Sequence, residues 1–591
     1  MMIAHKNPKR LRWFALLPLL AMTTSQFAAV AQEKALTPAP APAPTPTPTG
    51  GGAQPVPPGY PPAVCAPAPT TAGPAPRHGT NAVPYRPFPA TWQRTIDALV
   101  ANGSIPGAVI IVKSPDWGVR VGVTGKADLV SGEKMAPDLQ FRVGSVSKAF
   151  LAQAILRLEQ EGKIKLSDPV LTYLGGNKIV EGIPFIDKVT VADLLQMKSG
   201  VNNYLEDQHI GFSPQITPDK NFSGLDLAAA VSTTGQPSGK PLVPSLFPPG
   251  LTYNNPYWES VLQQQPPAPP LPPPYPAWNY SNTNYILLGL IAEQVTGKAA
   301  PDILKHYVFD VAGLKDTYFA TDDKKLPSIH GYTKWGSIPY PVQVFNNWCD
   351  VTKINPSYAW TAGAIVSTPW DLLKFEDAMF RTDTLLNQGT KNKWFTFVSA
   401  DIHIGWEVMQ YGVGGLMQPE RSYGTARGHG GAFPGYKTLL YYFYDQKTSF
   451  VLASNTWDDE WEVTMLDEIM PQVSSAVTTP TPLNEAAGVG PAKGGAVHVA
   501  WQAGRVYGDS YDVYWGTSPA AVDSASADSH PGVERLSVKG LSANIKVKPG
   551  TTYYWRVDTV TPGYHWPKQP EEPEGIAMPL IIGPTWQFKT R

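Results

Sequence analysis

Cysteine is nearly absent from this chain: two residues in 591 cannot build a disulfide scaffold, and without a Cys-x-x-Cys spacing they do not suggest a metal site. The ten histidines are scattered, so no structural zinc and no other cofactor is expected. Charge of one sign is missing as well. Lys plus Arg total 47 against 48 Asp plus Glu, which removes the basic surplus that draws proteins onto nucleic acid or anionic lipid. Small molecules or peptides, cell-wall peptides among them, are the expected partners. Beyond the amino terminus no run approaches the ~18 uninterrupted apolar residues of a membrane span, so no membrane anchor is expected.

The amino terminus itself is informative. Basic MMIAHKNPKRLRW leads into FALLPLLAM and then Ala29-Val30-Ala31 before Gln32, the pattern of a signal peptide over residues 1–31 with export to a periplasm or beyond. In an oxidising compartment Cys65 and Cys349 either pair or stay as two thiols. Residues 32–90 are Pro-rich, a composition that favours extended polyproline II and buries no core, so they read as a linker. Two folded units are expected beyond it, over 91–475 and 496–591, joined by a second linker at 476–495 of low hydrophobicity.

Within the first unit, IPGAVIIVKSPDWGVRVGVTG (105–125) reads as a hairpin, and YKTLLYYFYDQKTSFVLASN (436–455) as a second one turning at Asp445-Gln446-Lys447. Between them lie helical patterns such as AFLAQAILRLEQE (149–161), with Leu151, Ala154, Ile155 and Leu158 at helical spacing, and YILLGLIAEQVTG (285–297). Strands from both ends of the unit with helices between them predict an α+β fold, one antiparallel sheet flanked by helices. The second unit alternates apolar and polar residues in AVHVAWQA, YDVYWGTS, ANIKV, TTYYWRVDTV and PTWQFKT. A small all-β sandwich follows, with Tyr553, Trp555 and Val557 on one face.

The chemistry points to FRVGSVSKAF (141–150), where a polar turn enters the first helix. A serine hydroxyl is a weak nucleophile until a neighbour accepts its proton. Positions i and i+3 share a helix face, so Lys148 can lie against Ser145, and the free N–H groups of the helix start favour an oxyanion. The competing reading is a capping serine beside a solvated lysine. Ser131 and Lys134 have the same spacing, but they sit in a turn with Pro137 close behind.

Two further motifs decide between these readings. Tyr280-Ser281-Asn282 precedes an amphipathic helix, and His429-Gly430-Gly431 lies in GHGGAFPGY. With Ser145 and Lys148 in that order, residues 90–475 resemble the penicillin-recognising serine hydrolases: class C β-lactamases, D-alanyl-D-alanine carboxypeptidases, D-aminopeptidases and esterases. KVTVADLLQMKSGV (188–201) and WTAGAIVSTPWDLLKF (360–375) resemble connecting segments of that family. Tyr253-Asn254-Asn255, Lys198-Ser199-Gly200 and His530-Pro531-Gly532 match single motifs but fall in the wrong place.

The resemblance implies a β-lactamase/transpeptidase-like domain and a two-step acyl-enzyme mechanism without metal. Ser145 would attack, and Lys148 and Tyr280 would relay protons, the Tyr280 phenolate being stabilised by cationic Lys148. Asn282 would hold the substrate amide or the lysine, and His429 would replace the family's third-motif lysine. Gly430 and Gly431 would let the strand approach the substrate, and the backbone N–H groups of Ser145 and Ala432 would form the oxyanion hole.

Gly430 and Ala432 stand where carboxypeptidases and β-lactamases carry hydroxyls for a substrate carboxylate; Arg421 or Arg427 is the alternative anchor. A Pro-rich insertion separates Pro249-Gly250 from Tyr280, and either reshapes the cleft or forms a surface loop. The carboxy-terminal unit resembles a fibronectin type III domain, expected as a spacer or a polymer binder. The leading expectation is an exported D-alanyl-D-alanine carboxypeptidase-like peptidase. The alternatives are an esterase, a D-aminopeptidase, a class C-like β-lactamase, or an inert cell-wall binding protein.

Overall fold

The computed structural model describes residues 84–206, 210, 220–233, 278–322, 324–334, 348–394, 397–404, 407–421, 423–457, 461–490, 495–566, 576–577 and 580–591. The expected signal peptide, Cys65 and most of the insertion before Tyr280 lie outside these residues, as does the Tyr253-Asn254-Asn255 motif.

A nine-stranded sheet carries the first unit. Its strands are β1 (Arg86–Pro87), β2 (Gly107–Ser114), β3 (Gly118–Gly125), β4 (Phe397–Ile404), β5 (Glu407–Gly412), β6 (Leu416–Arg421), β7 (Gly424–Phe433), β8 (Tyr436–Phe443) and β9 (Thr448–Ser454). They run in the spatial order β1-β3-β2-β9-β8-β7-β6-β5-β4. The two hairpins read from the sequence meet at the centre, where β2 pairs antiparallel with β9 from Ser454↔Ala108 to Ser449↔Lys113. Val109, Ile110, Ile111 and Val112 of β2 are all 0 % exposed, as expected of a β-branched strand covered on both faces.

Helices cover both faces. Ser147–Gln160 (α2), Asn282–Thr296 (α3) and Pro369–Phe380 (α4) pack on one side. Ala90–Ala101 (α1) and Trp461–Ser475 (α5) pack on the other. The fold thus begins before residue 91. Phe88 and Trp92 are core residues, and β1 pairs parallel with β3, so the end of the predicted linker belongs to the domain.

The second boundary also differs from the prediction. Thr478–Thr481 pairs with Ala496–Gln502, and Ala486–Val489 pairs with Thr585–Thr590, so much of the expected linker consists of strands of a small β-sandwich. Tyr553, Trp555 and Val557 share that sandwich's core with Val499, Trp501 and Trp586. The sandwich is fixed to the first unit rather than tethered to it. Val506, Ile581 and Ile582 enter the same apolar cluster as Trp92, Trp461 and Ile469. Arg120 on β3, 1 % exposed, forms a two-pronged ion pair with Asp523 at 3.0 and 3.1 Å. Low-hydrophobicity composition concealed this arrangement because the joining strands gain their partners only from distant sequence.

Candidate active site

Gly144–Val146 forms a short 3-10 turn that runs directly into α2. Ser145, half-buried, stands at the turn and Lys148 in the first helical turn, and Lys148 Nζ lies 2.9 Å from Ser145 Oγ. The capping reading is not realised. Neither helical start has a side-chain cap, and Lys148 is 0 % exposed rather than solvated. Its second partner is the carbonyl of Ala362 at 2.8 Å. Ala362 belongs to the short helix Trp360–Gly363, within the connecting segment noted in the sequence, where Trp360 adopts φ +36°. A non-glycine residue there stores backbone strain.

Tyr280 and Asn282 enter from the start of α3. The Tyr280 hydroxyl is close enough to Ser145 for that residue to oppose the rise of its pKa, and Lys148 Nζ sits 5.0 Å from the centre of the Tyr280 ring. Asn282 does not hold the lysine; its amide nitrogen instead donates to Asn203 Oδ1 at 3.2 Å. Ser199, from the misplaced Lys-x-Gly motif, donates to Asn284 on the same helix.

The third motif lies on β7. That strand pairs with β8 along its length, His429↔Leu440, Gly430↔Leu439, Gly431↔Thr438 and Ala432↔Lys437. Its other edge pairs with β6 only as far as Gly428. Beyond that point the serine turn occupies the vacated edge. An added Cβ at Gly144, whose φ is +53°, would lie 2.5 Å from the Ala432 carbonyl oxygen, and one at Gly431 would lie 2.0 Å from the Val143 oxygen and 3.3 Å from the Ser145 nitrogen. Two glycines therefore let the turn and the strand touch backbone to backbone.

Burial sets the charge state. Lys148 is pushed well below the usual lysine range by desolvation, and desolvation pushes Tyr280 up despite the opposing effect of Ser145. Burial thus works against both members of the expected pairing, the Tyr280 phenolate and the cationic Lys148. His429, 1 % exposed, is lowered to about 3 by burial and then by Lys148. It is neutral near pH 7 and cannot supply the positive charge of a third-motif lysine. Its Nδ1–H donates to the Gly430 carbonyl, so its Nε2 accepts from Tyr411 at 3.3 Å.

Tyr411 was missed in the sequence, although it precedes Gly412-Val413-Gly414-Gly415. It is 0 % exposed and packs edge-on against both Tyr280 and His429. Asn203 and Ala362 were missed as well. Arg427 stacks over the rings of Phe397 and Tyr444, and the side chain of Arg421 lies outside the described residues. Ser131 and Lys134 stay in their surface turn. Cys349 is buried and disulfide-bonded. Among the described residues no group of three His, Cys, Asp or Glu side chains is placed to hold a metal, and no helix is long and apolar enough to cross a membrane.

The Beta-lactamase family profile matches residues 92–473, well over half of the chain. The chain is 27 % identical over 353 residues to a putative penicillin-binding protein, PbpX, of Bacillus subtilis (strain 168), covering 59 % of this chain and 70 % of PbpX. Penicillin-binding protein 4* of the same organism is 24 % identical over 352 residues, which span 58 % of this chain and 66 % of that protein. A D-amino acid amidase from Ochrobactrum anthropi SV3, solved with L-phenylalanine, superposes with a TM-score of 0.51 at 21 % identity over 65 % of this chain and 98 % of its own. That likeness shows the shared fold.

Proposed function

Since this chain belongs to the Beta-lactamase family, whose members are serine hydrolases, we propose that it is exported and cleaves an amide or ester through an acyl-enzyme on Ser145. The observation that carries this reading is the buried Lys148 amine 2.9 Å from Ser145 Oγ, with no carboxylate among its bonded partners in the described residues. A neutral amine accepts the serine proton as Oγ attacks the carbonyl. The oxyanion lies between the Ser145 and Ala432 N–H groups, and the Tyr280 hydroxyl passes the proton to the leaving group as the scissile bond breaks. Water then enters along the reverse relay and releases the acid.

The substrate reading moves away from the D-alanyl-D-alanine carboxypeptidase that the motifs alone favour. A terminal carboxylate needs donors, and a buried anion without them loses about 1–3 kcal/mol or more for each missing bond. Gly430 and Ala432 offer no hydroxyl, His429 is neutral, and Arg427 is stacked on aromatic rings. Substrates without a terminal carboxylate, as for the esterases and D-aminopeptidases, suit the site better. Replacing Ser145 with Ala is expected to lower turnover of p-nitrophenyl acetate at least ~10³-fold with an unchanged melting temperature. Retained activity would overturn the reading.

A further inference from the structure

Arg120, Arg142 and Arg556 are the fully buried arginines among the described residues, and two of them are neutralised. Arg120 pairs with Asp523 at 3.0 Å and Arg556 with Asp558 at 2.8 Å. Arg142, 1 % exposed, has no carboxylate acting on it among the described residues; the titratable groups around it are Tyr436, Tyr318 and Tyr358. Its Nη2 donates to the carbonyls of Thr352 and Ile354, both at 3.1 Å, while Nε and Nη1 are sealed from solvent without a hydrogen-bond partner among the described residues. Asp350, close by in sequence, is engaged elsewhere: its carboxylate accepts the Thr352 N–H at 2.9 Å and meets His330 Nδ1 at 2.7 Å. Desolvation lowers the pKa of Arg142, but a guanidinium starts so high that it keeps its proton. The fold thus encloses an uncompensated cation.

Its place gives that cation a meaning. Arg142 stands three positions before Ser145, on the short strand Phe141–Arg142 that pairs with Ile365–Ser367 through Arg142↔Val366. Its guanidinium lies 4.7 Å from the centre of the Phe433 ring, and Phe433 directly follows Ala432. Arg142 therefore joins the two chains whose N–H groups, those of Ser145 and Ala432, serve the oxyanion in the proposed reaction. A buried charge without a partner is costly to a fold. Fixed in a dry site, however, it favours an opposite charge that develops nearby without any reorganisation at the moment of reaction.

We propose that Arg142 is a positioning residue for acyl transfer, its unneutralised guanidinium bracing the root of the serine turn against Phe433 and favouring the negative charge that forms on the attacked carbonyl oxygen. This deepens the serine-hydrolase reading and rests on it.

The test compares the full chain with its Arg142→Gln and Arg142→Lys variants. Two quantities are read, kcat/KM for p-nitrophenyl acetate and the affinity of phenylboronic acid. Ser145 Oγ adds to the trigonal boron of that probe and releases its proton, leaving a tetrahedral boronate with one negative charge that stands in for the oxyanion. Arg142→Gln is expected to lower both on the order of tenfold, the size of one charge acting across about 10 Å at an effective dielectric constant of about 20. Its melting temperature is expected not to fall, since a buried unpaired charge has been removed. Arg142→Lys supplies the readout that a purely structural brace would not move. A buried lysine gives up its charge as pH rises, whereas arginine does not. The ratio of the lysine variant to wild type, taken at each pH, is therefore expected to start near one and decline toward the glutamine value.

Arg142→Gln within about threefold of wild type in either quantity overturns the proposal, and so does a lysine variant no better than the glutamine one at any pH. If Arg142→Gln does not fold, the lysine variant decides alone: a ratio that declines with pH sustains the proposal, and one that does not change with pH overturns it. Intact mass separates the two readings. A Ser145 acyl or boronate adduct that forms without regard to charge at position 142 overturns only this inference, whereas no Ser145 adduct in the wild type overturns the hydrolase reading with it.

Discussion

Lys148 is the residue on which the proposed chemistry turns, and its burial is costly to the fold. A fully buried amine resists protonation, and desolvation holds Lys148 well below the usual lysine range. In the proposed reaction the amine must be unprotonated, and a lowered pKa moves the rising limb of the pH profile to lower pH. The expected kcat/KM profile therefore rises well below pH 10.5, the ordinary lysine value, and a limb near that value would contradict a neutral Lys148 base. The same burial predicts that Lys148→Met abolishes turnover yet raises the melting temperature by a few degrees, because an apolar chain of similar length fills the site without a buried polar group. Ser145 and Lys148 were legible in the sequence because i and i+3 on a helix is a local relation. Asn203, Tyr411 and Ala362 were not, because their roles come from chain crossings that no spacing records.

The contact between the serine turn and β7 is the element that shapes the site. Gly430 and Gly431 are adjacent yet answer to different constraints. A Cβ at Gly431 would run into the Val143 carbonyl at 2.0 Å, whereas one at Gly430 meets nothing closer than a Leu439 methyl at 3.6 Å. Gly431→Ala is expected to push the strand off the serine turn and lower kcat by at least about 10²-fold through the oxyanion hole, with a smaller change in KM. Gly430→Ser is expected to fold normally, and by restoring a hydroxyl in the third motif it should improve kcat/KM for substrates with a terminal carboxylate relative to those without. Loss of folding in Gly430→Ser, or full activity in Gly431→Ala, would show that the close approach has been misjudged. Composition revealed small residues here, but only the register against β8 and the packing of Val143 show which glycine is obligatory.

At the scale of the molecule the β-sandwich is a structural partner of the hydrolase domain. Arg120 and Asp523 are 1 % and 14 % exposed, and Asp523 also receives the Thr585 hydroxyl. Removing one member of such a buried pair leaves the other charge uncompensated, at a cost of about 3 kcal/mol or more. Arg120→Ala is accordingly expected to lower the midpoint of urea unfolding of the full chain clearly, whereas a change in the exposed Lys178–Glu181 pair, whose lysine is 85 % exposed, is expected to leave it nearly unchanged. Equal effects of the two substitutions would indicate a sandwich that is merely tethered.

Local patterns in the chain determined the two hairpins, the helices between them, the α+β class and the order of the Ser-x-x-Lys, Tyr-x-Asn and His-Gly-Gly elements, because periodicity and short spacing act between near neighbours. The charge of Lys148 and His429, the orientation of Asn282 by Asn203, the place of Tyr411 and the docking of the sandwich were decided only in the folded chain. Each depends on what surrounds a group in space. Desolvation, hydrogen-bond partnership and steric closeness are set by residues from 18 to more than 400 positions away, and no local periodicity records such contacts.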